Sequence, residues 1–173
     1  MSIEIERTYL AAEIPEWAKE SQPKLMSDFY LPSDMTVHPK LRLRQKGDAY
    51  EITKKSVLDE SDASQQSEAT IELNMREFEA LRECSSREVS KLRYSMKHDD
   101  WTVEVDVFTE ALEGLVLVDF EFDNEQAMRK FEAPSYCVAD VTQEDFIAGG
   151  MLAGRTIEDI ADDLERLNYS YPQ

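Results

Sequence analysis

Like charges at alternating positions in three short segments constrain the fold more than any other feature of this sequence. The three pairs are Glu4 and Glu6, Arg42 and Arg44, and Asp119 and Glu121. Residues two apart on a β-strand point to the same face, so each pair directs both of its charges at one surface. If these strands belong to one closed sheet, its interior holds carboxylates near arginines. Such an interior is unfavourable as a core and well suited to a metal-bound polyphosphate.

The net charge restricts the partners of this protein. The 173 residues include 37 acidic and 19 basic side chains, which gives a formal net charge of −18. A surface this negative repels nucleic acids and anionic membranes, so we expect neither as a partner. An anion site must therefore be local and inward-facing. The length is sufficient for one domain with a sizeable core.

The cysteines and the N-terminal segment indicate a cytoplasmic location. Cys84 and Cys137 are far apart and lack metal-ligand spacing, which is typical of reduced, packed thiols. The first residues carry charges where a signal peptide has an apolar run. No stretch approaches the roughly 20 apolar residues of a membrane span. We therefore expect a soluble cytoplasmic protein.

Alternating patterns predict about eight strands joined mostly by short turns. The predicted strands cover residues 3–10, 26–31, 40–45, 50–55, 69–73, 91–94, 101–107 and 115–122. Helical patterns are weaker and cover residues 16–20, 75–84, 124–131 and 156–167. Residues 58–67 are rich in Ser, Asp and Gln and predict a mobile loop. The chain contains no internal repeat and no linker long enough to divide it.

The predicted fold class is α+β, mainly β: an eight-stranded antiparallel β-barrel with flanking helices. Alternate residues of a barrel strand point inward, and here those positions carry charges on nearly every strand. The opposite, outward positions are apolar: Ile3, Ile5, Leu41, Leu43, Val103, Val105, Phe120 and Phe122. The barrel is therefore inverted, with a polar lumen and an apolar outer surface that helices must cover. A second copy of the chain could also cover it, so a homodimer is an open alternative.

The C-terminal segment predicts an amphipathic helix. Thr156 and Asp159 are spaced as a capping box with Asp in place of Glu. The apolar stripe of the predicted helix comprises Ile157, Ile160, Leu164 and Leu167.

The acidic pairs have the chemistry of a site for Mg²⁺ or Mn²⁺. Three same-face pairs occur, namely Glu4 with Glu6, Asp119 with Glu121, and Glu104 with Asp106. Mg²⁺ and Mn²⁺ are held by a few carboxylates together with substrate phosphates. No cluster of His or Cys indicates zinc, and His38 and His98 are isolated.

Basic residues on other predicted strands supply the opposite charge. They are Arg42, Arg44, Lys55, Lys91 and Arg93. The planar guanidinium of arginine suits bidentate binding of phosphate. With a metal on the same oxygens, these cations would neutralise charge that develops on a transferred phosphoryl group. A carboxylate or the metal could orient the attacking water.

Each pair by itself would indicate the solvent-exposed face of a half-buried sheet. The Glu104 and Asp106 pair could equally neutralise Arg93 without contacting a metal. A solvated face does not require several such pairs, each with apolar residues on the opposite face. Their co-occurrence therefore favours the charged lumen.

Six motifs occur in a fixed order along the chain. They are Glu-x-Glu at 4–6, Arg-Leu-Arg-x-x-Gly-x-x-Tyr-Glu-x-Thr-x-Lys at 42–55, Lys-Leu-Arg-Tyr at 91–94, Val-Glu-Val-Asp-Val-Phe at 103–108, Leu-Val-Asp-Phe-Glu-Phe at 117–122 and Asp-Val-Thr at 140–142. This set resembles the CYTH superfamily, the triphosphate tunnel metalloenzymes, over residues 1–154. The chain closely resembles small bacterial CYTH-domain proteins described as adenylate-cyclase-like.

The resemblance implies an eight-stranded tunnel that binds a triphosphate-containing small molecule with a divalent metal. The implied metal ligands are Glu4, Glu6 and Glu121, with Asp119 and Asp106 as helpers. The implied phosphate-binding residues are Arg42, Arg44, Lys55 and Arg93, with Lys91 in addition. Catalytic roles then fall to Glu4, Glu6, Lys55 and Arg93, and inward acids also include Glu68 and Glu72. Residues 155–173 would form a C-terminal helix and tail packed on the same domain.

The chain departs from the family pattern at two places. The opening motif of the family is Glu-x-Glu-x-Lys, whereas the lysine position here is Thr8, and alternation points Arg7 out of the tunnel. After the Val-Thr the family usually carries Lys or Arg residues that reach the phosphates, whereas residues 143–150 contain none. In a desolvated tunnel, each lost charge-assisted contact costs about 1.5–3 kcal/mol.

The first functional hypothesis is a divalent-metal-dependent hydrolase of inorganic triphosphate or a related linear triphosphate, such as thiamine triphosphate. One alternative is a catalytically weakened tunnel that binds a polyphosphate or nucleotide. Another alternative is an adenylate cyclase of the class IV type, although the sequence shows no recognisable adenine pocket.

Overall fold

The computed structural model describes residues 2–172 and contains nine strands and five short α-helices. The strands are β1 (Ser2–Ala11), β2 (Lys24–Leu31), β3 (Leu41–Lys46), β4 (Ala49–Asp59), β5 (Asp62–Leu73), β6 (Arg87–Lys97), β7 (Trp101–Phe108), β8 (Val116–Phe122) and β9 (Cys137–Asp140). The α-helices are α1 (Glu16–Lys19), α2 (Met75–Arg82), α3 (Glu125–Lys130), α4 (Gly149–Leu152) and α5 (Ala161–Arg166). Short 3₁₀ helices cover Glu110–Leu112, Asp145–Ile147 and Glu158–Ile160.

Eight of the strands close into an antiparallel barrel. Their order is β5-β4-β3-β2-β6-β7-β8-β1, and a further pairing of β1 with β5 closes the ring. The ninth strand, β9, pairs only with the C-terminal part of β1. The predicted eight-stranded antiparallel barrel is therefore confirmed. Within residues 2–172, no helix is both long enough and apolar enough to cross a lipid bilayer.

The strand register places the charged residues of neighbouring strands on the same face. Glu6 lies opposite Glu121, and Thr8 lies opposite Asp119, across the β1–β8 pair. On other pairs, Arg93 lies opposite Asp106, Asp28 opposite Arg44, and Lys55 opposite Glu68. Since side chains alternate along each strand, this face is the lumen.

The outer surface of the barrel is apolar and is largely covered. Val103, Val105 and Phe120 are fully buried, and they pack with Met128 and Phe131, at and just after α3. On the other side of the barrel, Phe78 of α2 covers Phe29 and Leu43. Ile3 is different, because 63% of it is exposed. Helices therefore cover most of the predicted outward positions but not the start of β1.

The predicted mobile loop at residues 58–67 is wrong. The strand β4 continues to Asp59 and β5 starts at Asp62, so only a tight turn separates them. Backbone pairing of Val57 with Gln66 and of Ser56 with Ser67 extends the hairpin. A polar composition is compatible with a strand here because the inward face meets a polar lumen: Gln66 Nε2 donates to Glu6 Oε1 at 2.9 Å.

Apolar side chains close one end of the lumen. Five inward-facing residues on five strands form one buried cluster: Leu10, Tyr30, Val89, Phe108 and Leu117. Leu152 of α4 and Leu164 of α5 belong to the same cluster, so the C-terminal elements seal this end. At the other end of the barrel, inward-facing residues of β1, β2, β3, β5 and β6 are exposed: Ser2, Lys24, Lys46, Glu72, Ser95 and Lys97. The lumen is therefore open at one end only.

The C-terminal helix is shorter than the pattern predicts. A 3₁₀ turn at Glu158–Ile160 precedes α5, so the segment is not one continuous helix. The predicted capping box is present, because the Thr156 backbone N–H donates to Asp159 Oδ2 at 2.8 Å and the Asp159 N–H donates to Thr156 Oγ1 at 3.4 Å. Ile160 and Leu164 are buried, as the apolar stripe predicts.

Candidate functional site

The charges of the lumen are distributed unevenly between an acidic wall and a basic wall. The acidic wall consists of the three consecutive strands β7, β8 and β1, with Glu104, Asp106, Asp119, Glu121, Glu4 and Glu6 facing inward. Further inward-facing acids lie among the cations, namely Asp28 on β2 and Glu68 and Glu72 on β5. The inward-facing cations lie on β6, β3 and β4: Lys91, Arg93, Arg42, Arg44 and Lys55. All ten predicted site residues, together with Glu104, thus line one interior.

Glu6 and Glu121 are the acids with the least compensation. Among the described residues, neither carboxylate takes part in a salt bridge. Burial raises the pKa of Glu6 to about 7, against the effect of Lys55, and the nearby Asp119 carboxylate raises it further. Burial also raises the pKa of Glu121 to about 7, and the carboxylates around it, led by Glu104, act in the same direction. The acidic wall therefore holds excess negative charge that a cation can neutralise.

Asp106 links two cations of the basic wall. Arg93 Nε donates to Asp106 Oδ1 and Arg93 Nη2 to Asp106 Oδ2, both at 2.6 Å, and Lys91 Nζ contacts the same Oδ2. Arg93 also contacts Glu104, and its Nη2 lies 3.6 Å from Asp119 Oδ2. The two cations more than offset the burial of Asp106, so they hold the pKa of its carboxyl below its usual range. Both of its oxygens are engaged by side chains of the protein.

Lys55 bridges the two acids at the seam between β1 and β5. Its Nζ donates to Glu4 Oε2 and lies 3.3 Å from Glu68 Oε2. Burial nevertheless raises the pKa of Glu4, since it outweighs the attraction of Lys55. The second acid predicted on β5, Glu72, is exposed at the open end and makes no salt bridge among the described residues.

Arg42 and Arg44 sit next to each other on the basic wall but differ in their partners. Arg44 makes two hydrogen bonds to Asp28, of 2.6 and 2.7 Å. Arg42 is only 3.9 Å from Glu51 at its nearest approach, through Nη2. Within residues 2–172, Arg42 Nε is the one buried side-chain polar atom without a hydrogen-bond partner. A buried donor without a partner favours binding of an external acceptor such as a phosphate oxygen.

The donor set fits a hard divalent cation. Among the described residues, no three His, Cys, Asp or Glu side chains are already clustered as a metal site. Glu6 and Glu121 nevertheless face each other on adjacent strands, half-buried and, among the described residues, without a salt-bridge partner, and Glu4 lies on the same face. Carboxylate oxygens of this kind suit Mg²⁺ or Mn²⁺ rather than a softer metal.

The residues at the two departures from the family pattern have definite places. Thr8 Oγ1 donates to Asp119 Oδ1, so this position orients a carboxylate. Arg7 lies opposite Phe120 on the outer face, as predicted. Gln143 bonds to Asp62 and to the backbone of Ala63, at the tip of the β4–β5 hairpin.

Sequence reasoning missed two residues of the lumen. Asp28 is almost completely buried and binds Arg44, and Gln66 binds Glu6. The signal for Asp28 was present: it is an acid at the centre of a predicted strand, in phase with the inward-facing Tyr30. Gln66 carried no such signal, because its segment resembled a loop.

Comparison with known proteins identifies similar chains. No protein-family model matches this sequence. An inorganic triphosphatase from Nitrosomonas europaea is 36% identical over 143 residues, which are 82% of this chain and 90% of that protein. A crystal structure of an inorganic triphosphatase superposes with a TM-score of 0.62 at 32% identity, covering 88% of this chain and 95% of that chain. A structure from Bacillus halodurans, named for a proposed adenylate cyclase activity, has a TM-score of 0.55 at 18% identity, covering 94% and 98%, and shows the fold alone.

Proposed function

This chain belongs to the CYTH superfamily, the triphosphate tunnel metalloenzymes, and we propose that it hydrolyses inorganic triphosphate or a related linear triphosphate with the help of a divalent cation. The observation that carries the proposal is the concentration of acids on β7, β8 and β1 in one lumen whose cations lie on β6, β3 and β4. The 36% identity to an inorganic triphosphatase over 90% of that protein supports the same reaction.

The acidic wall supplies the metal ligands in this proposal. Glu6, Glu121 and Glu4 would hold Mg²⁺ or Mn²⁺, with Asp119 nearby. Held by these residues, such an ion would supply positive charge to neutralise charge on the reacting phosphoryl group. The raised pKa values of Glu6 and Glu121 support this assignment, because a bound cation relieves the unfavourable burial of their charges.

The basic wall binds the phosphates. Arg42 has a buried donor available, and Lys55 and Arg93 reach the acidic wall at Glu4 and Asp119, respectively. Arginine donors fixed in a partly desolvated lumen stabilise charge that develops on the phosphoryl oxygens in the transition state. Lys91 acts through its contact with Asp106, whose negative charge it offsets.

Asp106 has a different role from the other acids. Because Lys91 and Arg93 occupy both of its oxygens, we assign it to orienting these two cations rather than to the metal. A carboxylate oxygen of Glu6 or Glu121 that does not contact the metal would then orient the attacking water.

The closed end defines how a substrate enters. Since the cluster around Leu10 and Leu117 seals one end, a linear phosphate chain enters through the mouth with one of its ends leading. Any group attached to the other end of the chain stays near the mouth. Inorganic triphosphate and triphosphates with one substituent meet this requirement.

The testing experiment measures phosphate release from inorganic triphosphate in Mg²⁺, in Mn²⁺ and in EDTA, with ATP in parallel. We expect release that depends on the metal. Glu4→Gln and Glu121→Gln should abolish it while leaving the circular dichroism spectrum intact. The matched control is Glu125→Gln on α3, an exposed acid outside the barrel, which should retain full activity.

Two results would redirect the proposal. Formation of cyclic AMP and pyrophosphate from ATP would identify a cyclase instead. Absence of turnover, together with a rise in the melting temperature on addition of triphosphate, would identify a binding protein. The specific observation that favours this second function is Thr8, which presents a hydroxyl bound to Asp119 where the family presents a cation.

A further inference from the structure

The lumen contains a buried ion pair that the proposed metal and phosphate sites do not account for. Asp28 of β2 lies directly opposite Arg44 of β3, and both side chains face the lumen. Arg44 Nε donates to Asp28 Oδ1 at 2.6 Å, and Arg44 Nη2 donates to Asp28 Oδ2 at 2.7 Å. The side chain of Asp28 is 2% exposed and that of Arg44 is 8% exposed. This is a bidentate pair in which both oxygens of the acid are used.

Stability alone does not explain such a pair. Removing two charges from water is unfavourable, and a protein is often equally stable when apolar residues of similar volume replace such a pair. The pair also opposes anion binding, since Asp28 places a negative charge beside a cation of the basic wall. A bidentate contact does, however, fix the plane and the direction of a guanidinium group.

The geometry leaves one side of Arg44 available. The hydrogen bonds to Asp28 use the edge formed by Nε and Nη2, and within residues 2–172 Nη1 has no hydrogen-bond partner. Within the same residues, every buried side-chain polar atom except Arg42 Nε has a hydrogen-bond partner. Because Nη1 of Arg44 has no partner and is not among these exceptions, it is not buried. An accessible atom on an inward-facing residue of the barrel faces the lumen.

We propose that Asp28 is a positioning residue for the reaction: it holds the Arg44 guanidinium by one edge so that the remaining donors face the phosphates. This inference rests on the proposed function. Asp28 contacts no substrate itself and acts through Arg44. Burial alone would raise the pKa of the Asp28 carboxyl, but Arg44 outweighs burial and lowers it to about 2, so the acid stays ionised at neutral pH.

The first test is the substitution Asp28→Asn, assayed on inorganic triphosphate with Mg²⁺. The variant keeps one acceptor oxygen but removes the charge that holds Arg44. We expect kcat to fall about 10-fold or more, as for other residues that orient a functional group. We expect KM to stay the same or fall, because the basic wall gains one unit of positive charge. A purely structural role would lower the melting temperature and the active fraction but would not separate kcat from KM.

The matched control breaks a similar pair outside the lumen. Arg166 contacts Glu144 through two hydrogen bonds, of 3.1 and 2.7 Å, on the outside of the closed end. Glu144→Gln removes the same kind of charge and should leave kcat and KM unchanged.

A double-substitution cycle protects the test against loss of folding. Arg44→Lys lacks the planar fork that Asp28 holds, so adding Asp28→Asn to it should cause little further loss of kcat. Rescue is expected from Asp28→Glu, which restores the charge, to a rate between those of Asp28→Asn and the wild type. Additive losses in the cycle, or a wild-type kcat in Asp28→Asn, would overturn the inference while the proposed function stands. A wild-type protein that releases no phosphate would overturn both.

Discussion

Thr8 donates a hydrogen bond of 2.7 Å from its Oγ1 to Asp119 Oδ1, across the pair formed by β1 and β8. Burial and the neighbouring Asp106 raise the pKa of Asp119, and the hydroxyl of Thr8 offsets part of this effect. The fifth position of the opening motif, occupied by Thr8, thus stabilises an acid of the lumen instead of adding a cation. The site consequently has fewer charges to attract phosphate than the superfamily pattern provides.

Substituting Thr8→Lys should therefore strengthen triphosphate binding. A lysine at this inward position places an ammonium group beside Asp119, and one charge-assisted contact corresponds to about 10-fold in KM. Steady-state kinetics on inorganic triphosphate measure the change. Thr8→Val, which removes the hydroxyl without adding charge, is the control and should not lower KM. An unchanged KM in a folded Thr8→Lys protein would show that this chain positions triphosphate away from β1.

Arg42 should contribute more to substrate binding than any exposed arginine. Its buried Nε lacks a partner within the described residues, so the side chain has a donor ready for a phosphate oxygen. We expect Arg42→Gln to raise KM about 10-fold or more, because hydrogen bonds to charged groups contribute about 1.5–3 kcal/mol. The same substitution at Arg129, which pairs with Glu125 on the outside of the barrel, should change KM little. Equal effects at the two positions would argue against a phosphate site at Arg42.

The metal-free protein should lose stability as the pH rises from about 4.5 to about 7. The folded protein raises the pKa of Glu121 from 4.5 to about 7, so within this window it retains a proton that the unfolded chain has released. Its contribution to stability is therefore largest below pH 4.5 and is lost as the pH passes the folded pKa. Glu6 acts in the same direction.

Urea unfolding of the wild type and of Glu121→Gln, at pH 5 and pH 8 in EDTA, measures this effect. The free energy of unfolding of the variant, relative to that of the wild type, should be higher at pH 8 than at pH 5. Added Mg²⁺ should stabilise the wild type more than the variant. Glu125→Gln provides the exposed control for the same change of side chain. A stability difference that is the same at both pH values would contradict the assignment of Glu121 as a half-buried acid without a compensating cation.

The apolar seal should contribute to stability without setting the affinity for substrate. Leu164 is 2% exposed within the cluster at the closed end, so Leu164→Ala should lower the free energy of unfolding by about 2–5 kcal/mol. Leu25→Ala, at a position that is 56% exposed, should change it by no more than about 0.5 kcal/mol. Denaturant unfolding gives both values, and KM should be unaffected in either variant. A large change of KM in Leu164→Ala would mean that the seal shapes the phosphate site.

The sequence predicts the barrel and its charged interior because side-chain alternation has a fixed period of two. Glu4 and Glu6, with Asp119 and Glu121, fall on the lumen for this reason alone. Alternation fails where both faces of a strand are polar, as at Gln66, since such a segment has the composition of a loop. Tertiary packing cannot be predicted from local sequence either. Nothing in the residues around Leu164 indicates that it belongs to the same buried cluster as Leu10 and Leu117 at the end of the lumen.

The single opening of the barrel imposes an order on departure. A fragment generated deep in the lumen, towards Tyr30, can leave only by the path that an outer fragment near Glu121 still occupies. The outer fragment must therefore dissociate first, and the inner fragment can dissociate only after it. For a reaction that cleaves one chain into two anions, slow dissociation of the outer anion would limit the turnover rate, however fast the bond cleavage itself is.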